Sequence, residues 1–452
     1  MKRSILLALA ATLLVMPARA QEHKDGLCNK CTEKFEKISK EIKAEYAPDS
    51  RDKIFEVKLI HKDGGKAVVG STTEAAAKEA LMAKLKLEGL NAADEVKILP
   101  DAELGEKTYG VICVSVAQFR CDGRMSGESA TQALMGMPVT ILNGNDGGWY
   151  RAVTMEGYIA WTLKRNIQEM TKAEYEEYLA KPKVITMVKH STLYTKPDTK
   201  SMQICDIVLG DILIDGGDLD LETLNTVAVP QKGDGMREFI DPWAKKITYR
   251  ASDVKKLNKL WRKVSTADGR TGYMLKSDIQ DFNEWLKGAQ PTADNVIESA
   301  KLWTGSPYTW GGTSYKGVDC SGLAKSAYFL NGYVLRRDAS QQCLTGDPVD
   351  IDKFVAGELT LENLSNLKKG DLIFFGRKAT PERKERITHV ALYMGDGMII
   401  HSSDIVRINS LIPGTPNFYG GAKNTVRASR IIGTADQGKG VVSVAKIFKP
   451  EK

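Results

Sequence analysis

No later segment of this 452-residue chain matches even the apolar run Ile5 to Met16, and that run is itself too short for the roughly 20 residues of a membrane-spanning helix. A membrane-spanning helix is therefore not expected. The chain also lacks a strong charge of either sign: 64 Lys and Arg stand against 57 Asp and Glu, far from the basic stripe of a nucleic-acid binder. Cysteines number only seven, at 28, 31, 113, 121, 205, 320 and 343, an odd count that leaves at least one thiol unpaired or bonded to another molecule. Six in bridges would permit 15 pairings, so none is assigned. "CNKC" at 28–31 has no second CxxC and no nearby histidine pair, so a four-ligand zinc site is not completed and a structural or incidental role is expected. Histidine is scarcer still: His23, His61, His190, His389 and His401 are the whole supply of imidazole bases.

What is present is an ordinary globular mixture, 42% hydrophobic and 27% charged, long enough for two to four domains. Residues 1–20 combine Lys2 and Arg3, an apolar stretch and the small-x-small ending Ala18-Arg19-Ala20, the layout of a secretory leader cleaved before Gln21. Cys28 follows "KDGL", which does not resemble the box before a lipid-modified cysteine. The leader holds three of the basic and none of the acidic residues, which leaves a mature excess of about +4. An exported protein, periplasmic or secreted and mildly attracted to anionic surfaces, is expected.

Phe35, Ile38 and Ile42 at helical spacing, the strand-like runs "KIFEVKLIH", "KAVVGST" and "EVKILP", and the Ala-rich helix ending at Gly89 indicate a small α+β unit over 30–105 with no chemical motif. Further on, "GGWYRAVTMEGYIAWTLKRNI" at 147–167 is echoed by "KLWRKVSTADGRTGYMLKSDI" at 259–279. A repeated unit of short strands and Gly turns predicts a duplicated module, two small barrels over 106–180 and 181–286. The second copy carries an insertion around 215–258 that includes "KGDGMREFIDPW". The two copies resemble bacterial SH3-like domains. A polar link, "KGAQPTADN", precedes a last domain at 290–432.

All recognisable chemistry lies in that last domain. "VDCSGLAKSAYFLNGY" from 318 places Leu323, Ala324, Ala327, Tyr328 and Leu330 on one helical face, with Asn331-Gly332 as the stop, so Cys320 opens a helix. The unsatisfied amides and dipole there favour an anion, which predicts a lowered thiol pKa. Gly311, Gly312 and Gly322 suit a close backbone approach by a substrate, and the Cys320 amide suits an oxyanion.

A thiol nucleophile requires a base, and two of the five histidines fall in "ITHVALYMGDGMIIHSS". It reads as a hairpin of strands 387–394 and 398–403 about Gly395-Asp396-Gly397. Met394 then opposes Met398, His401 opposes Ala391, and His389 lies diagonal to His401 on the same face. A two-residue loop would put the rings on opposite faces, so the relay requires an odd loop. His389 can alternatively be a satisfied core histidine, His401 can cap its strand, and a Cys/His/His metal site stays open, although no fourth ligand is signalled.

Asp319-Cys320-Ser321-Gly322, "GDLIFF" at 370–375, "THVALYMGDG" at 388–397 and "IIHSS" at 399–403 together resemble the papain-like cell-wall peptidases of the NlpC/p60 family. The resemblance covers about 290–432. It implies an α+β chain whose catalytic domain is papain-like, with Cys320 as nucleophile, His389 as base and His401 orienting it, and with no cofactor or metal. Relatives with SH3-like modules cleave the bond between γ-D-glutamate and a diamino acid, L-lysine or meso-diaminopimelate, in peptidoglycan stem peptides, often those with a free N-terminal L-alanine. The implied partner is peptidoglycan or its muropeptide fragments, bound by a monomer.

The same resemblance nominates substrate-binding residues. Asp319 would hold the L-alanine ammonium, unless it only caps the helix; Tyr308 and Ser321 match other contact positions. In "RRDASQQ", Arg337, Ser340 and Gln341 are candidates for the substrate's carboxylates and backbone, with Arg337 as a solvated surface residue the alternative. Glu128 and Tyr158 or Trp161 would come from the first barrel as a wall of the cleft, or else occupy ordinary barrel positions. Same-fold rivals are a cell-wall amidase, a bridge endopeptidase and a non-catalytic wall-binding protein.

Overall fold

The computed structural model describes residues 29–225 and 248–449. The expected leader, Cys28, His23 and "KGDGMREFIDPW" lie outside the described residues. The chain divides into two compact units, one holding 29–48 and 53–98 of the described residues and the other 49–52 with everything from 99 onward. Among the described residues no helix is long and apolar enough to cross a membrane.

In the smaller unit α1 (Asn29–Tyr46) buries Phe35, Ile38 and Ile42, spaced three and four apart on one helical face. The strands β1 (Phe55–Lys62) and β2 (Gly65–Thr72) are joined by Asp63-Gly64, both at positive φ, the two-residue turn whose twist matches an antiparallel hairpin. Helix α2 (Ala75–Leu87) returns the chain to β3 (Ala93–Ile98), which pairs parallel to β2. Its Ala77, Leu81 and Leu85 meet α1; full burial of each leucine contributes roughly 1.5–3 kcal/mol.

The larger unit begins with two seven-stranded antiparallel sheets, one formed by strands between Tyr109 and Met170, the other between Lys183 and Asp281. Counted along the chain, the strand order in both is seventh, first, fourth, fifth, sixth, second, third. The sequence echo covers the fifth and sixth strands, a short 3-10 turn (Lys164–Asn166, Lys276–Asp278) and the start of the seventh. Identical topology around the echo identifies the two sheets as copies of one module.

The rest of the unit is built on a six-stranded antiparallel sheet of β4 (Asp347–Val349), β5 (Leu372–Arg377), β6 (Arg386–Gly395), β7 (Met398–Ser403), β8 (Ile405–Ser410) and β9 (Thr425–Arg430), in the order β4-β9-β5-β6-β7-β8. Helix α3 (Cys320–Phe329) packs on β6 and β7. The sequence predicts one apolar face for α3; instead all ten of its residues are buried. Its polar residues are matched individually: Lys325 pairs with Glu156 of the first module at 3.0 Å, and Ser326 donates to the Thr313 carbonyl at 2.9 Å. Further buried contacts seat the module here, with the Thr313 N–H donating to Gln132 Oε1 and the Thr313 hydroxyl to the Gln132 carbonyl, both at 3.0 Å. A buried polar group costs free energy unless paired, so these matched contacts fix the register between module and helix.

Candidate active site

Cys320 is the first residue of α3, with Asp319 as its N-cap: the carboxylate accepts from the Gly322 N–H at 2.7 Å. The thiol is 8% exposed and accepts from the backbone N–H of Val390, the residue after His389 on β6. Helix and hairpin thus bring Cys320 and His389, the expected nucleophile and base, to one place.

The hairpin reaches the relay geometry by a different route from the expected three-residue loop. Asp396-Gly397, both at positive φ, form a two-residue turn closed by the pair Gly395 and Met398. A bulge between Tyr393 and Gly395 then absorbs Met394, so that Tyr393 faces Ile399 and Leu392 faces Ile400. Met394 does not oppose Met398, yet beyond the bulge the register is the one that puts both histidines on the same face. His389 Nε2 lies 2.8 Å from His401 Nδ1.

A further residue continues the line. His401 Nε2 lies 2.9 Å from Asn409 Oδ1, and Asn409 Nδ2 donates to the Asn417 carbonyl at 2.7 Å. A carbonyl only accepts, which fixes the amide of Asn409 with its oxygen toward His401. His401 therefore carries its proton on Nε2 and accepts on Nδ1, so His389 donates from Nε2 and keeps a lone pair on Nδ1. Tyr419 stands edge-on to His401 with ring centroids 4.7 Å apart, and Phe375 lies against His389 at 5.6 Å.

Burial dominates the electrostatics. It lowers His389 to about 3, helped by the neighbouring His401, and lowers His401 as well. The Cys320 thiol, expected to fall at a helix N-terminus, is pushed up to about 12, first by burial and then by Asp319. Withdrawal from water thus outweighs the helix dipole, and the resting pair is a neutral thiol beside a neutral imidazole.

Residues 305–417 match the NlpC/P60 family. The C-terminal part of this chain is an NlpC/P60 domain. The chain is 27% identical over 305 residues to the gamma-D-glutamyl-L-lysine dipeptidyl-peptidase of Bacillus cereus, covering 65% of this chain and 74% of the relative. It is 26% identical over 329 residues to dipeptidyl-peptidase 6 of Lysinibacillus sphaericus, covering 70% and 97%. The crystal structure of an NlpC/P60 family protein from Bacillus cereus shares its fold at a TM-score of 0.50 and 22% identity, over 72% of this chain and 99% of that one.

Several residues nominated for substrate turn inward in the NlpC/P60 domain. Asp319 is saturated: one oxygen accepts from Gly322, from the Ser321 hydroxyl and from Arg337 Nη1, the other from the Gly311 N–H and from Arg337 Nη2 at 2.5 Å. No lone pair is left for a substrate ammonium. Arg337, expected at a substrate carboxylate or in solvent, is 1% exposed and also donates to Ser321 and to Thr131 of the first module. Ser321 is spent within the same cluster. The glycines likewise serve packing rather than substrate approach, since a Cβ on Gly322 would run into the Gly312 carbonyl and one on Gly312 into that of Gly317.

Ser340 and Gln341 are engaged by the segment Asp49–Asp52, which belongs to this same unit. Arg51 donates to both Ser340 Oγ and Asp338 Oδ2 at 2.8 Å, and Gln341 Nε2 donates to Asp49 and Asp52 at 3.1 and 2.8 Å. Tyr158 points its hydroxyl at Asp338, 3.4 Å away. Trp161 lies under Arg151, whose guanidinium carbon is 5.7 Å from the ring centroid, and Glu128 is exposed beside Cys121. Tyr308 is half-buried, its hydroxyl pKa raised by burial and then by Cys320, which puts it near the thiol. Sequence reasoning missed Asn409, Asp338 and Tyr419.

Proposed function

We propose that this protein is an exported cysteine peptidase that hydrolyses the bond from γ-D-glutamate to a diamino acid in peptidoglycan stem peptides with a free N-terminal L-alanine. The names of the relatives support the bond and the dipeptide release. The observation that carries the chemistry is the line His389, His401, Asn409, in which each ring proton has one consistent place, with Cys320 against the backbone of Val390 next to His389.

His389 Nδ1 holds the only ring lone pair left in that line, so it takes the Cys320 proton as sulfur attacks the γ-carbonyl. The first N–H of α3, which an α-helix leaves without an intrahelical acceptor, faces the developing oxyanion. His389 then gives the proton to the leaving amine, the C–N bond breaks, and a thioester remains on Cys320. Water attacks the thioester with His389 as base, releasing L-Ala-γ-D-Glu and the thiol. His401 and Asn409 hold His389 in the tautomer that each step uses. Because thiol and imidazole rest neutral, the ion pair forms only along the reaction path.

The first SH3-like copy would then serve the substrate side, as a fixed wall through Tyr158. Mass spectrometry of digests of the free and N-acetylated tripeptide L-Ala-γ-D-Glu-L-Lys tests the reading. Release of L-Ala-γ-D-Glu from the free peptide alone is expected. Cleavage of the muramoyl–L-alanine bond in muropeptides would support the amidase instead.

A further inference from the structure

His389 also forms part of the wall of a cleft of about 630 Å³. The charged residues of that wall are Arg377, Lys378, Arg386 and Lys423, and among the described residues no Asp or Glu lines it. Arg377 on β5 and Arg386 on β6 are paired directly across the strands. Like charges in that position destabilise a sheet. Acidic side chains near the strand ends do not offset them: Glu385 pairs with Arg427 at 2.7 Å, and Glu382 accepts from Thr380. Lys378 is held by the Val355 carbonyl, and Arg377 reaches only the Lys384 carbonyl, at 3.5 Å. The cost of gathering four cations around one cleft is recovered when an anion enters.

The reaction says which part of a substrate enters. A base that protonates the leaving amine stands within hydrogen-bond reach of it, so the remainder of the leaving group extends past that base. His389 is that base, and the cationic cleft is the space it borders. We propose that this cleft is the leaving-group site and reads carboxylates, favouring meso-diaminopimelate, whose side chain ends in a carboxylate beside its ammonium, over L-lysine, whose side chain ends in the ammonium alone. This rests on the assignment of Cys320 and His389 above.

The test compares kcat/KM for L-Ala-γ-D-Glu-meso-diaminopimelate, for its side-chain carboxamide and for L-Ala-γ-D-Glu-L-Lys, at low and high salt. Partly exposed charge-assisted contacts imply about a tenfold preference for the dicarboxylate over both others, diminished by salt. In the double variant Arg386→Gln, Lys423→Gln the ratio falls toward one. Equal rates, a preference for lysine as in the name of the Bacillus cereus relative, or a preference that the double variant leaves intact would overturn the proposal. Failure of the native enzyme to cut any of the three at the γ-glutamyl bond overturns the parent reading instead, and is distinguished by the absence of the dipeptide product.

Discussion

Replacing Arg337 with methionine removes a cation that is 1% exposed and leaves the Asp319 carboxylate, 8% exposed at its side chain, buried beside the nucleophile without its counter-charge. Breaking one half of such a pair costs about 3–5 kcal/mol, which in a unit of this size lowers the melting midpoint by roughly 4–7 °C. The double variant Arg337→Met, Asp319→Leu removes both charges and recovers part of that loss, short of the ~1 kcal/mol of the helix cap and the about 1–3 kcal/mol of the buried Gly311 N–H left without its acceptor. Thermal and urea unfolding of the native, single and double forms measure this. If Arg337→Met instead melts like the native protein and only raises KM, more for a free α-carboxylate than for its amide, Arg337 is a substrate ligand and the structural reasoning fails.

Further predictions concern the proton line. His401→Ala is expected to lower kcat by roughly 100-fold and Asn409→Leu by roughly tenfold, with Asn409→Asp restoring part of the loss by again accepting from Nε2; unchanged pH–rate profiles would show that neither residue acts through His389. The neutral resting pair predicts that alkylation of Cys320 by iodoacetamide, followed by peptide mapping, climbs through pH 9 without a plateau near neutrality, and a plateau below pH 7 would show a preformed thiolate. His389 also links pH to stability. Its folded pKa is depressed to about 3, so between about 3 and the unfolded 6.5 the unfolded chain binds the extra proton, and this contribution is present above 6.5 and lost as pH falls through that window, by up to roughly 1.4 kcal/mol per unit. His389→Gln should flatten the slope in urea melts between pH 4.5 and 7; an unaltered slope would mean that His389 titrates normally in the fold.

Periodicity and turn chemistry carried far into this fold because its helices and hairpins are locally consistent. The three-four spacing of Phe35, Ile38 and Ile42 marks the buried face of α1, and the repeated Gly-Tyr strands mark modules of one topology. The α+β class holds. Facing arguments located the two histidines even though the turn has two residues, because a bulge at Met394 restores the register that they need. One hairpin further, the same alternation of faces points to Asn409, since His401 faces Arg407 and Asn409 lies two residues along on that face. What failed was tertiary. The union of Asp319 with Arg337 and Thr131, and of Arg51 with Asp338, joins residues far apart in the chain that no local pattern links. The Cys320 thiol departs from its expected direction for the same reason: a helix N-terminus is visible in sequence, whereas the burial that outweighs it belongs to the assembled core.

The most direct test of the account is substitution of its sulfur. Native protein and Cys320→Ala, matched by melting midpoint, are incubated with L-Ala-γ-D-Glu-L-Lys and its diaminopimelate counterpart, and the products are read by mass spectrometry. The account predicts release of L-Ala-γ-D-Glu by the native protein and none by the variant. Dipeptide release by a folded Cys320→Ala protein would contradict it.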